Sequence, residues 1–121
     1  MKKILVVDDE QAICNMLKKF LTQKGYEAII ALSGEEAISK VKQERPHVVL
    51  LDIRMPDMDG IETLKKIREI DKEVGVIMIT AVNEEKTGKK CLELGAYDYI
   101  IKPFDLDYLE TVLIVKLLDF A

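Results

Sequence analysis

The chain has 121 residues, 49% apolar and 33% charged, with no tryptophan. That is enough for one domain with a substantial core, and the balance is that of an ordinary globular protein. A net charge of −4 argues against the concentrated basic surface that direct nucleic-acid binding needs, and no apolar run approaches the length of a membrane span. Lys2-Lys3 are followed by only four apolar residues before Asp8, which is not a secretory leader. The expectation is a single cytoplasmic domain over residues 1–121 without membrane contact. Cys14 and Cys91 fall within helical patterns and read as free buried thiols. With one histidine they offer no zinc-ligand spacing.

In chain order, Ile4-Leu5-Val6-Val7 forms a first strand running into Asp8-Asp9-Glu10. Ile13, Met16, Leu17, Phe20 and Leu21 repeat at helical spacing, and Gly25 ends that helix. Tyr26 to Ala31 suits a second strand. Ser33 and Glu36 form a capping box ahead of the stripe Ala37, Ile38 and Val41. Pro46 and His47 precede a third strand, Val48-Val49-Leu50-Leu51, which ends at Asp52. The segment Met55-Pro56-Asp57-Met58-Asp59-Gly60 reads as a turn-rich loop before a helix with Ile61, Leu64 and Ile67 inward. A fourth strand, Val76-Ile77-Met78-Ile79, ends at Thr80.

The helix from about Glu84 to Leu94 is poor in apolar residues and carries Gly88 inside. Glycine costs about 1 kcal/mol against alanine there, so this helix is expected to be among the more mobile elements. Lys86, Lys89 and Lys90 read as its solvated face. Tyr99-Ile100-Ile101 forms a fifth strand ending at Lys102-Pro103. In the last helix, Leu106 to Leu118, the stripe Leu106, Leu109, Leu113 and Leu117 belongs to the core. Tyr108, Val112, Ile114, Val115 and Leu118 fall largely on other faces, as on a docking or dimerisation face or a joint to a further domain.

Short β-branched runs alternating with helices read as buried parallel strands. The expected fold is a flavodoxin-like, doubly wound α/β sheet of five strands in order 2-1-3-4-5 with five helices. Such sheets bind ligands at the carboxyl ends of their strands, where Asp8, Asp9, Asp52, Thr80 and Lys102 would gather. Clustered carboxylates raise one another's pKa unless a cation lies between them. Mg2+, a hard cation that takes carboxylate and phosphate oxygens, answers that need. Asp52, at the end of an apolar strand, is the candidate nucleophile toward phosphorus, with Lys102 and Thr80 placed to hold phosphoryl oxygens. His47 lies five residues before Asp52, roughly 16 Å along an extended strand. It belongs at the opposite end of the sheet, so a phosphoryl donor must come from another molecule.

Four motifs in this order, Val7-Asp8-Asp9, Asp52-Ile53-Arg54-Met55-Pro56-Asp57-Met58-Asp59-Gly60, Thr80-Ala81 and Lys102-Pro103-Phe104, resemble the receiver domain of bacterial two-component response regulators over essentially the whole chain. The resemblance implies that Asp52 is the phosphoacceptor. It implies that Asp9, Asp52 and the Arg54 backbone carbonyl ligate Mg2+ directly, with Asp8 acting through water. Thr80 and Tyr99 match the family's switch pair, and Lys102-Pro103 its cis peptide. The implied protein is a signalling switch rather than a metabolic enzyme, phosphorylated by a partner histidine kinase. Its surface of helix 4, strand 5 and helix 5 would control homodimerisation or an output domain outside this chain, for example a DNA-binding one. An apolar Val82, two residues after Thr80, cannot position an attacking water, which points to slow self-hydrolysis.

Three rival readings share the scaffold. A magnesium-dependent aspartyl phosphatase would carry a second aspartate two positions after its nucleophile, where Arg54 stands. A flavin carrier would not place Asp8-Asp9-Glu10 at its phosphate loop. An unphosphorylated interaction module would have no use for the intact acidic set.

Overall fold

The computed structural model describes residues 1–120. Its elements are β1 (Lys3–Val7), α1 (Gln11–Gln23), β2 (Glu27–Ala31), α2 (Gly34–Glu44), β3 (Val48–Leu51), α3 (Gly60–Ile70), β4 (Gly75–Thr80), α4 (Glu85–Glu93), β5 (Asp98–Ile101) and α5 (Leu106–Leu117), then a 3-10 turn (Leu118–Phe120). The five strands pair in parallel in the order β2-β1-β3-β4-β5, the flavodoxin-like order expected.

Side chains alternate across a strand, and the alternation sorts the core into two layers. Leu5, Val7, Val49, Leu51, Val76 and Met78 face α2, α3 and α4, packed with Ala37, Val41, Leu64, Ile67 and Cys91. Ile4, Val6, Val48, Leu50, Ile77, Ile79 and Ile100 face α1 and α5, packed with Cys14, Leu17, Leu21, Leu109 and Leu113. Both faces are covered, which is why the strands read as unbroken apolar runs. Both cysteines are free and buried.

The register matters most at the carboxyl edge. Val7 is level with Leu51, and Leu51 with Met78. The ladder then runs one residue past the strands: Asp52 N–H donates to the Val7 carbonyl at 3.1 Å and Lys102 N–H to the Thr80 carbonyl at 2.8 Å. Backbone pairing thus holds Asp8, Asp52, Thr80 and Lys102 along one rim. At the other end, Lys3 N–H donates to His47 Nδ1 at 3.0 Å. The His47 imidazole pKa is lowered by burial and by the Lys2 ammonium. This histidine is remote from the acidic rim, as its distance from Asp52 along the chain required.

Two expectations need correction. Tyr26 precedes β2 rather than opening it, packing against the α1 and α5 layer. In α5, Val112 is buried with Leu109, Leu113 and Leu117, whereas Leu106 is only half-buried. The apolar stripe of a core-facing helix is wide enough to take positions three, four and eight residues after Leu109. Tyr108, Ile114, Val115 and Leu118 are exposed, as the helical pattern indicated.

The helix α4 buries only Cys91, and its N-cap residue Glu84 makes no side-chain cap bond. A methyl on Gly88 would lie 3.5 Å from the Tyr99 ring, an ordinary contact. Gly88→Ala is therefore expected to stabilise the protein by about 1 kcal/mol through helix propensity. A higher urea midpoint at unchanged slope is the check; a lower one would show that α4 resists the methyl.

Candidate functional site

Each side chain at the carboxyl rim comes from the end of a strand. Lys102, after β5, reaches back between two carboxylates. Its Nζ donates to Asp8 Oδ2 at 2.7 Å and to Asp52 Oδ2 at 3.0 Å. The lysine side chain is 15% exposed, that of Asp8 5% and that of Asp52 8%, so this is a largely dry ion triad. Burial works against the Lys102 charge, but the bonds to Asp8 and Asp52 outweigh it and raise the lysine pKa. Burial also raises the Asp8 pKa, despite the lysine bond and the Glu10 N–H that donates to Asp8 Oδ1 at 2.9 Å. The Lys102–Pro103 peptide is cis.

Asp9 and Glu10 extend the acidic group outward. Asp8, Asp9 and Glu10 each offer a carboxylate oxygen, and these lie within 4.8 Å of one another. An open cleft of about 470 Å³ adjoins them, lined by Asp9, Ile53, Arg54, Met55, Pro56 and Asp59. Arg54 N–H donates to Asp52 Oδ1 at 3.3 Å, fixing the turn after β3. Oxygen-rich and anionic, this set has the chemistry of a hard divalent cation site. It does not suit zinc, which prefers nitrogen and sulfur.

Thr80 is fully buried, and its hydroxyl makes no hydrogen bond to the side chains of the triad. Its Oγ1 accepts from Val82 N–H at 3.3 Å. The Tyr99 hydroxyl donates to the Val82 carbonyl at 2.6 Å, with its pKa pushed up to about 12 by burial. Thr80 and Tyr99 thus hold opposite ends of one residue, Val82, whose side chain is itself buried.

The loop between β3 and α3 carries two carboxylates whose work was not evident beforehand. Asp59 caps α3 by accepting from Glu62 N–H at 2.8 Å. The pattern Asp59-x-x-Glu62 is a capping signature and was there to be found. Asp57 accepts from Gly34 N–H at 3.1 Å and Glu35 N–H at 3.0 Å, at the start of α2. The Glu35 amide, followed by that of Gly34, holds the Asp57 carboxyl below its usual range. No local pattern predicts a partner 23 residues upstream.

Residues 4–114 match the family described as response regulator receiver domain. The chain is 46% identical over 103 residues to the alkaline phosphatase synthesis transcriptional regulatory protein PhoP of Bacillus subtilis (strain 168), covering 85% of this chain and 43% of that one. It is 42% identical over 106 residues to sporulation initiation phosphotransferase F of the same organism, covering 88% of this chain and 86% of the relative. Among solved structures it is similar to response regulator protein TrrA from Thermotoga maritima in complex with Mg2+-BeF. That likeness has a TM-score of 0.88 and 37% identity, covering 97% of this chain and 100% of the other. The chain spans less than half the length of PhoP. It belongs to the response regulator receiver domain family, the signalling modules of two-component systems.

Proposed function

We propose that residues 1–121 form one phosphorylation-controlled receiver that takes a phosphoryl group on Asp52 from a histidine kinase. The observation that carries this reading is the Lys102 ammonium held between Asp8 and Asp52 at the sheet rim. Asp52 attacks phosphorus through a carboxylate oxygen, the bond to the donor breaks, and the leaving group departs with its electron pair. Lys102, already within 3.0 Å of Asp52 Oδ2, is placed to pair with the added phosphoryl oxygens. Thr80 supplies a hydroxyl donor one strand away.

Asp9, Asp52 and the Arg54 carbonyl would hold Mg2+, with Asp8 behind them. The likeness to a structure in complex with Mg2+-BeF supports this. Bound there, the ion offsets the charge of the acidic rim and of the incoming phosphoryl group. A phosphoryl group shifts a conformational equilibrium only by binding one state better. A Thr80 hydroxyl turned toward it would release the Val82 N–H, and Tyr99 shares that residue. The response would therefore pass to α4, β5 and α5, where Tyr97, Tyr108, Val115 and Leu118 stand exposed.

That surface is proposed to form a homodimer or to control an output domain. The likeness to a transcriptional regulatory protein favours a DNA-binding output outside this chain. Two free buried thiols fit a reducing cytoplasm. Self-dephosphorylation is proposed to be slow, because the buried Val82 side chain holds no water for attack.

Acetyl phosphate with Mg2+ is expected to add one phosphoryl group to the wild type, read by intact mass. It should add none to Asp52→Ala or in the presence of a chelator. Labelling of Asp52→Ala would overturn the assignment. Beryllofluoride with Mg2+ is expected to raise the sedimenting mass to that of a dimer, and an unchanged mass would remove the homodimer.

A further inference from the structure

Asp57 is exposed, yet its carboxylate is fully engaged in a long-range contact. Both oxygens are used, one on Gly34 N–H at 3.1 Å and one on Glu35 N–H at 3.0 Å. Ser33 Oγ takes the third amide of that helix end, Glu36 N–H, at 3.1 Å. The first turn of α2 is thus satisfied partly from its own N-cap and partly from the loop after β3. An α-helix leaves its first amides without intrahelical partners, and here a second element supplies what the first lacks.

The two elements also press together. A Cβ on Gly34 would collide with Thr63 Oγ1 and stand 3.0 Å from Met58 Cβ. Thr63 Oγ1 in turn donates to the Asp59 carbonyl at 2.9 Å. The loop is therefore held at Asp57 by α2 and at Asp59 by α3. Its remaining stretch, Arg54-Met55-Pro56, lies along the cleft that Asp9 also lines. A segment fixed at one end by the Asp52 strand and at the other by Asp57 has few backbone conformations open to Arg54, which lines the same cleft as Asp9.

We propose that Asp57 is a positioning residue for the cation site: by fastening the β3–α3 loop to α2, it restricts the Arg54 backbone that would supply a carbonyl ligand. This rests on the reading of the rim as a Mg2+ site. Outer contacts that orient metal ligands are worth about tenfold or more in metal affinity when removed, and that is the scale expected.

The test compares wild type, Asp57→Ala and Asp57→Asn in two measurements. Amide chemical-shift titration with Mg2+ alone gives the dissociation constant. Labelling by acetyl phosphate across Mg2+ concentrations gives the rate at saturation. Asp57→Ala should bind Mg2+ about tenfold more weakly yet regain the wild-type rate once Mg2+ saturates. Asp57→Asn keeps one acceptor oxygen and should fall between the two.

Wild-type Mg2+ affinity in Asp57→Ala would overturn the proposal. So would a lost rate that saturating Mg2+ does not restore, because that marks general disruption of the site. A wild type that binds no Mg2+ would overturn the rim reading itself, and with it this one.

Discussion

Lys102→Ala is expected to destabilise the metal-free protein by about 3 kcal/mol, the lower end for breaking a buried ion pair by removing one partner. The lysine is the only cation within hydrogen-bonding distance of either Asp8 or Asp52 among the described residues. Without it, two largely buried carboxylates face each other with no counter-charge. Asp8 is already shifted up by burial even with the ammonium in place. Replacing the pair and its neighbour by apolar groups would be a different experiment, since that would remove the buried charges as well.

The variant also separates the lysine from the metal. In the proposed site Mg2+ and the ammonium would be counter-ions to the same carboxylates, so in the wild type the ion would share Asp52 with Lys102. In Lys102→Ala it need not. A site filled at 100 times its dissociation constant contributes about 2.7 kcal/mol. Mg2+ should therefore recover more stability in the variant than it adds to the wild type. Phosphoryl labelling should nevertheless fall, because the point charge proposed to pair with the phosphoryl oxygens is gone. Urea unfolding of both proteins with and without Mg2+ reads the first effect directly. Equal midpoints in the absence of metal would show that Lys102 does not hold the rim together.

The fold was legible because its strands are buried on both faces. Val48 to Leu51 has no polar residue to blur it, and the helices between strands announce themselves by caps such as Ser33 with Glu36. The Ser33 half of the capping box is present, Glu36 N–H donating to Ser33 Oγ, whereas Glu36 Oε1 accepts from the N–H of Leu32, one residue before the cap. The rim residues were legible for a related reason: each follows an apolar run, so fixing strand order and register placed Asp8, Asp52 and Lys102 together. What could not be read were contacts set by tertiary approach. Asp57 reaches α2, and the Tyr99 hydroxyl reaches the Val82 carbonyl, through distances no periodicity encodes. Val112 is buried although it lies off the leucine stripe, because a single stripe understates the width of a core-facing helix.

Gly60→Ala carries the other large expected effect, in the direction opposite to Gly88→Ala. Both replace a helical glycine with the best helix former, so propensity alone would make both variants more stable. Gly60 opens α3 directly against the end of β3, its N–H donating to the Ile53 carbonyl at 2.7 Å. A Cβ there would overlap the Asp52 carbonyl oxygen and lie 2.6 Å from Ile53 Cα. These are backbone atoms of the strand end itself and cannot turn aside as a side chain can. The first turn of α3 must move, and a loss of about 3 kcal/mol is expected, the upper part of the usual range for overpacking. The displaced atoms belong to Asp52, so labelling by acetyl phosphate should also drop in the fraction that remains folded. Urea midpoints of the two variants measured side by side decide the matter. If Gly60→Ala rose together with Gly88→Ala, the close approach of α3 to the Asp52 end of β3 would not be what this glycine serves.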